Sequence, residues 1–510
     1  MLIGDWLGRR ARLSPSRTAL IDETDGGRAI SYRAWDVAAN RTAHLLRERL
    51  GVSRGDRVAV LAHNCVPYLD LWFACGKLGA VLQTLNWRLT AHELAALVAD
   101  ATPAALVYGP AFAAQVAALR EAGAPVGRYL ALDEAARVSP DDLLLAERER
   151  LPDTPPPPVE LSWDDPWVIC YTGGTTGLPK GALLTHGNIT WNAVNTVTSW
   201  GLCQDDVAIL NAPLFHTGGL NVFTAPLVYA GGASVVCRGF DPEQVYDLLE
   251  GAGVTLFFGV PTMFVALQQH PRWATADFAC LKLVISGGAP CPDPVREAFW
   301  ARGVDFKLGY GLTEAGPNTF WLPSEELRRK PGAVGYPLMH IDARVMDAEG
   351  RPCAPGEVGE LHVRGPHVCA GYWRRPEETA RAIVGGWLHT GDLARSDEDG
   401  CYTIVGRLKD VIISGGENIY PAEIESVLAS HPAVAEAAVV GVPDPKWGEV
   451  GLAVVAALPE AVLDADDLLG FCRERLARYK IPRAVVFTPS LPKTAAGKVD
   501  KQELRERYGK

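Results

Sequence analysis

The sequence predicts an α/β protein. A large N-terminal domain of two α/β subdomains and a small β-barrel should precede a small α+β C-terminal domain. Three observations carry this reading. Short apolar runs alternate with helical spacing from Arg57 to Ile285, as in a parallel sheet with crossover helices. Beyond Gly332, short β runs sit between Gly and Pro turns. From Val411 onward, helices and strands mix again over ~100 residues, a common domain size.

Taken in order, residues 31–50 have helical apolar spacing. Residues 57–62 read as a strand, 67–78 as a helix and 80–85 as a strand, which makes a β-α-β unit. The alternation repeats at 94–98 and 104–108. Residues 133–160 are rich in charge and end in Pro155, Pro156, Pro157 and Pro158. Such a stiff stretch suits a join between subdomains, expected near 152–162. Residues 167–170 read as a buried strand and 182–185 as a short one, with a helix starting near Asn188. Strands recur at 207–210, 234–237, 255–260 and 282–285, a second α/β unit. The β-rich part should span about 332–405, with strands at 341–345 and 360–363. The last domain should hold helices at 423–428 and 465–478 and strands at 437–442, 452–457 and 484–487.

The composition excludes several classes. The net charge of −11 argues against nucleic acid or an anionic membrane as the main partner, yet a local positive cradle can still hold a small anion. The 11 cysteines form no CxxC pair and suggest reduced thiols in the cytoplasm. The 11 histidines show no HExxH pattern. No apolar window suggests a membrane span, and the first fifteen residues lack a signal-peptide core.

The chemistry centres on Tyr171-Thr172-Gly173-Gly174-Thr175-Thr176-Gly177-Leu178-Pro179-Lys180-Gly181. Glycine lets backbone approach an anion, and hydroxyls and N–H groups then wrap it. Lys180 adds a cation on a flexible stem. This suits a polyphosphate, though it is not a Walker A loop, because Pro179 precedes the lysine and Ala182 follows Gly181. A plain surface turn would explain a lone GxxG. It explains less well three threonines, four glycines and a lysine in one run.

Six further runs follow in fixed order: Ser286-Gly287-Gly288-Ala289-Pro290, Tyr310-Gly311-Leu312-Thr313-Glu314, Thr390-Gly391-Asp392, Gly406-Arg407-Leu408-Lys409-Asp410, Ser414-Gly415-Gly416-Glu417-Asn418 and Pro492-Lys493-Thr494-Ala495-Ala496-Gly497-Lys498. Together with the first loop, they resemble the adenylate-forming superfamily, over nearly the whole chain. Leu85-Asn86-Trp87-Arg88-Leu89-Thr90 and Gly415 to Pro421 resemble its bacterial fatty-acyl and aryl-acyl CoA ligases. Gly173 stands where many relatives have Ser.

The resemblance implies a role for each position. Thr172, Gly173, Gly174, Thr175, Thr176, Gly177 and Lys180 would hold the β- and γ-phosphates of ATP. Thr313 would touch the α-phosphate, and Glu314 would hold Mg²⁺. Gly288, Ala289 and Pro290, with Gly309, Tyr310 and Gly311, would enclose the adenine. Asp392 would accept the ribose hydroxyls, and Arg407 would reach the ribose or phosphate. Lys498 would join the attacking carboxylate to the α-phosphate.

After adenylation, a small mobile domain (411–510) would swing about Lys409, in a hinge at 408–410 that follows the 1–407 domain. Ser414, Gly415 and Gly416 would then meet coenzyme A. The acyl pocket would lie at His216, Thr217, Gly218, Gly219, Gly287 and Gly309.

The implied activity is AMP-forming ligation of an apolar monocarboxylic acid to CoA. A medium- or long-chain fatty acid is the first expectation and an aryl acid the alternative. An adenylating enzyme without CoA transfer is a remoter one, since no carrier domain follows Lys498. A homodimer is compatible with this reading. A nucleotide-binding regulator with a dead site fits less well, because every chemical position holds a competent residue.

Overall fold

The computed structural model describes residues 3–172, 179–459, 461, 463–494 and 498–509. Two seven-stranded sheets form the large domain. In the first, Arg57–Leu61 is central, between Val81–Thr84 and Ala105–Tyr108. These three strands are short, mostly apolar and wholly or almost wholly buried, as the middle of a helix-covered parallel sheet requires; the buried polar exceptions, Gln83 and Thr84, bond backbone oxygens of Leu97 and Phe215. Helix Val66–Leu78 crosses between two of them and is buried on nearly every face. Helix Ala91–Ala101 starts with a capping box: Thr90 Oγ1 accepts from Glu93 N, and Glu93 Oε2 accepts from Thr90 N.

The first sheet ends in a hairpin. Strand Pro166–Thr172 runs parallel to Val81–Thr84, and Lys180–Thr185 returns antiparallel, with Thr172 opposite Lys180. Strand 182–185, expected in the second α/β unit, therefore belongs to the first. The chain changes sheets through helix His186–Trp200, later than the join expected near 152–162. A glycine–threonine turn can close a hairpin, so local sequence did not separate the two outcomes.

The second sheet is built from Phe306–Leu308, Leu283–Ser286, Leu256–Gly259, Val207–Leu210 and Ala233–Val236. It is completed by the chain's first strands, Thr18–Asp22 and Arg28–Ser31. Tyr32, fully buried, fixes this pairing by donating to Gly232 O at 2.6 Å. Trp35, Phe73, Trp72 and Trp167 fill the core beside it, with edge-to-face contacts and one stack at 5.4 Å.

The β-rich part is an antiparallel five-stranded sheet containing Asp342–Met346, Gly359–Arg364, Trp387–Ser396, Ile383–Val384 and Tyr402–Arg407. Among the described residues no strand pairing closes it into the expected barrel. The last domain pairs Val434–Asp444 with Gly448–Ala457 as a long hairpin, and Ala484–Phe487 lies parallel beside it. Its helix runs Ala465–Arg473, shorter than the 465–478 expected. Arg475 N bonds Cys472 O in a tighter turn, and a 3₁₀ turn at Arg478–Lys480 leads to Pro482. No helix among the described residues is long and apolar enough to cross a membrane. All 11 cysteines are free thiols.

Candidate active site

The site lies where strand ends of both large sheets meet the β-rich sheet and the last domain. The hairpin brings Thr172 to the edge of the cleft, where its hydroxyl donates to Glu314 Oε1 at 3.2 Å. Tyr372 donates to the same oxygen at 3.0 Å. Glu314 is buried in a 3₁₀ turn, and its backbone oxygen accepts from Cys369 N at 2.7 Å. Lys180 Nζ lies 5.2 Å from the Tyr372 ring centre. Thr313 lies against the Cys170 thiol, which burial raises to about 11. Gly173, Gly174, Thr175, Thr176 and Gly177 lie outside the described residues.

Strand Leu283–Ser286 ends at the cleft, followed by buried Gly287 and exposed Gly288, Ala289 and Pro290. Gly288 has φ +84°, a conformation that favours glycine. Gly309 N donates to Ser286 O at 2.7 Å and so closes the two strand ends together. Gly311 has no room for a side chain, because a Cβ would meet Pro317 O at 2.2 Å.

Asp392 is 4% exposed, and both its oxygens are engaged. Tyr310 donates to Oδ2 at 2.6 Å, and Arg407 Nε meets Oδ1 at 2.6 Å. Burial raises the Asp392 pKa, while Arg407, Tyr310 and Lys498 oppose the rise. A ribose at this carboxylate must share it with Tyr310 and Arg407.

Lys498 faces the same cleft from the last domain. Crowding by protein lowers its ammonium pKa, and so do Arg407 and Lys409, while Asp392 and Glu314 oppose them. The cleft is open, so Lys498 is nonetheless an exposed residue. Lys409 sits in the 3₁₀ turn Leu408–Asp410. Next to it, Asp410 accepts from Arg505 of the final helix at 3.2 Å. Ser414, Gly415 and Gly416 form a hairpin turn in the same domain, with φ +59° at Gly415 and +90° at Gly416. Gly415 N donates to Trp447 O at 2.8 Å. A Cβ on Gly415 would lie 2.7 Å from the Trp447 ring. Among the described residues no hydrogen bond joins this turn to the large domain.

His216 lies between Phe215 and Thr217, near Lys498 and Arg88. Burial, then those two cations, lowers its pKa to about 4, so the ring is neutral at pH 7. Its Nε2 is buried without a hydrogen-bond partner among the described residues, so a substrate oxygen could satisfy it. Thr217 is held by Asn221 Nδ2 at 3.1 Å. Gly219 admits no side chain, since a Cβ would meet Pro213 O at 2.4 Å. A Cβ on Gly218 or Gly287 would lie 3.2 or 3.3 Å from opposite edges of the Phe258 ring.

Phe258, Tyr372, Arg88 and Trp447 also stand at the site, and no motif in the sequence marks a role for them. Of the four, Arg88 alone lies within one of the motif runs, Leu85 to Thr90. Its guanidinium covers Trp87 at 4.4 Å and Phe215 at 5.4 Å. An exposed tryptophan is an unusual surface residue and was the available signal for Trp447, 46% exposed. Tyr372 and Phe258 carry none, because folding alone brings them to Glu314 and the glycines.

The chain matches two family descriptions, AMP-binding enzyme over residues 7–373 and AMP-binding enzyme C-terminal domain over 423–498. It is 45% identical over 507 residues to a feruloyl-CoA synthase of Amycolatopsis sp, covering 99% of both chains. It is 36% identical to the long-chain-fatty-acid–CoA ligase FadD13 of Mycobacterium tuberculosis, covering 99% of this chain and 98% of that one. The ATP-bound structure of MatB from Rhodopseudomonas palustris superposes with a TM-score of 0.89 at 35% identity, covering 100% and 99% of the two chains. The apo form of MatB superposes at 0.80.

Proposed function

We propose that this chain, which belongs to the AMP-binding enzyme family, is an AMP-forming carboxylic acid–CoA ligase that joins an apolar monocarboxylic acid to coenzyme A. The single observation that carries the mechanism is Lys498 facing Asp392 and Glu314 across the cleft. A carboxylate must attack the α-phosphate of ATP, an approach of like charges. At ~4 Å and an effective dielectric of ~20, each unit pair repels by about 4 kcal/mol. Lys498 supplies a preorganised cation at that point and bonds both reactants.

Thr172 and Lys180 hold the departing pyrophosphate, and Thr313 contacts the α-phosphate. The cleft end of strand Leu283–Ser286, with Gly309 to Gly311, receives the adenine. Asp392 takes the ribose, and Arg407 steadies Asp392. Glu314 suits Mg²⁺, because it is a buried carboxylate whose two hydrogen bonds among the described residues both fall on Oε1. A bound Mg²⁺ would neutralise phosphate charge. His216, neutral, offers Nε2 to the acid.

The thiol then displaces AMP from the acyl-adenylate. Lys498 occupies its path and must leave. A swing at Lys409 removes it and brings Ser414, Gly415 and Gly416 to the thiol arm. The closer match to ATP-bound than to apo MatB supports an adenylation-ready arrangement here.

For the acid, we favour the aryl reading over the fatty one. The cavity lined by Gly218, Gly219, Val222, Phe223 and Phe258 is about 10 Å³, space for one water at most. An alkyl tail and an aryl ring directed there would both have to open that wall, so the cavity does not choose between them. The preference rests on the 45% identity to feruloyl-CoA synthase, while the 36% identity to FadD13 keeps a fatty acid as second reading. ATP–pyrophosphate exchange over ferulic, cinnamic, benzoic, octanoic and palmitic acids, repeated for thioester formation with CoA, tests both. Exchange without thioester formation for every acid would refute the ligase. Faster turnover of palmitic than of ferulic acid would reverse the aryl preference.

A further inference from the structure

We propose that Glu360, His362 and His389 form a binding site for one first-row divalent transition metal ion of the Zn²⁺ class. The site is separate from the Mg²⁺ position at Glu314. Strand alternation places Glu360 and His362 on one face of Gly359–Arg364. His389 is the direct cross-strand partner of His362, so its ring joins that face. The two imidazoles stack at 3.8 Å. Among the described residues this is the group of three or more His, Cys, Asp or Glu side chains whose donor atoms all lie within 4.8 Å of one another.

The spacing fits an ion. Glu360 Oε2 lies 3.1 Å from His362 Nε2 and 3.7 Å from His389 Nδ1. Ligands at ~2.0–2.2 Å in a tetrahedron are separated by roughly 3.3 Å, so both edges are close to what zinc needs. Two imidazoles and one carboxylate favour Zn²⁺ or its neighbours over Mg²⁺ or Ca²⁺.

The carboxylate is also oriented from outside. Gly391 N donates to Glu360 Oε1 at 3.0 Å, which leaves Oε2 turned to the histidines. His362 is buried, whereas Glu360 and His389 are partly exposed. That exposure leaves an entry path and room for water as further ligand. All three side chains stand on paired strands rather than loops, so the backbone is fixed and a turn of the imidazole rings out of their stack completes the tripod. Neither His362 nor His389 has a part in the proposed ligation chemistry.

The test uses full-length protein stripped with chelator, dialysed, and titrated with Co²⁺ alone. Visible absorption should rise to an end point at one equivalent, and Zn²⁺ should then abolish it. His362→Gln and His389→Gln should each weaken binding by at least about 10-fold. Cys203→Ser, which removes an exposed thiol, should leave the titration unchanged. Circular dichroism checks each variant, and Glu360→Gln replaces either histidine variant that fails to fold. Absence of a one-equivalent end point overturns the site. So does wild-type affinity in the folded ligand variants, or displacement of Co²⁺ by a 100-fold excess of Mg²⁺.

Discussion

Lys498→Ala tests the proposed chemistry most directly. The ammonium faces Asp392 and Glu314, where the ribose and Mg²⁺ are proposed to sit. The carboxylate and α-phosphate must meet there against a repulsion of about 4 kcal/mol per unit pair. Losing one preorganised donor to such a centre costs about 2.7–4 kcal/mol, or roughly 10²–10³ in rate. Carboxylate-dependent ATP–pyrophosphate exchange should therefore fall by about 10²–10³ in the variant. Thioester formation from a supplied acyl-adenylate should be spared, since Lys498 has left the cleft by then. The lowered ammonium pKa adds a second signature. Wild-type exchange should decline on the alkaline side before the ordinary lysine value of 10.5, and the variant should lack that limb. Equal losses in both half-reactions, or a loss in neither, would refute the assignment.

The remaining predictions concern stability, the metal, the acid and the thiol. Burial lowers His186 and His216 to about 4 and His367 to about 3, from 6.5. The folded state thus binds fewer protons than the unfolded state, so stability is full above pH 6.5 and is lost as pH falls toward 4. Each should contribute about 2 kcal/mol to the difference between pH 7 and pH 5, read by thermal unfolding, and His367→Gln should flatten the slope. Tyr372→Phe removes one hydroxyl from Glu314 and should raise the Mg²⁺ concentration for half-maximal exchange severalfold, at about 1 kcal/mol of stability. In Gly287→Ala the new methyl presses on Phe258, so kcat/KM for bulky aryl acids should fall about 10-fold or more, and less for benzoic acid. Gly415→Ala strains a left-handed turn and collides with Trp447; it should slow thioester formation while leaving exchange intact.

The sequence made the alternation of elements legible, because buried strands such as Arg57–Leu61 and Leu283–Ser286 carry unbroken apolar runs, Val58 to Leu61 and Leu283 to Ile285. Motif order led to Glu314, Asp392, Arg407 and Lys498, which the fold gathers at one cleft. Sheet membership was not legible. Thr18–Asp22 pairs with Ala233–Val236 across a long stretch of sequence, and nothing local to either marks the partner. The same holds for Tyr372 and Phe258, whose importance lies in Glu314 and Gly218 being beside them. A hairpin and a strand-to-helix turn demand the same small residues, which hid the place of Lys180–Thr185.

The pairing of the first strand with the second sheet bears on synthesis. Tyr32 and its acceptor Gly232 are 200 positions apart. At ~5–20 residues per second, the leading segment leaves the ribosome roughly 10–40 s before its docking partner exists. Meanwhile Ala19, Leu20 and Ile30 have no sheet to cover them. A nascent chain halted before Gly232 should hold that hydrophobic edge bare and bind trigger-type chaperones, releasing them once the later strand emerges.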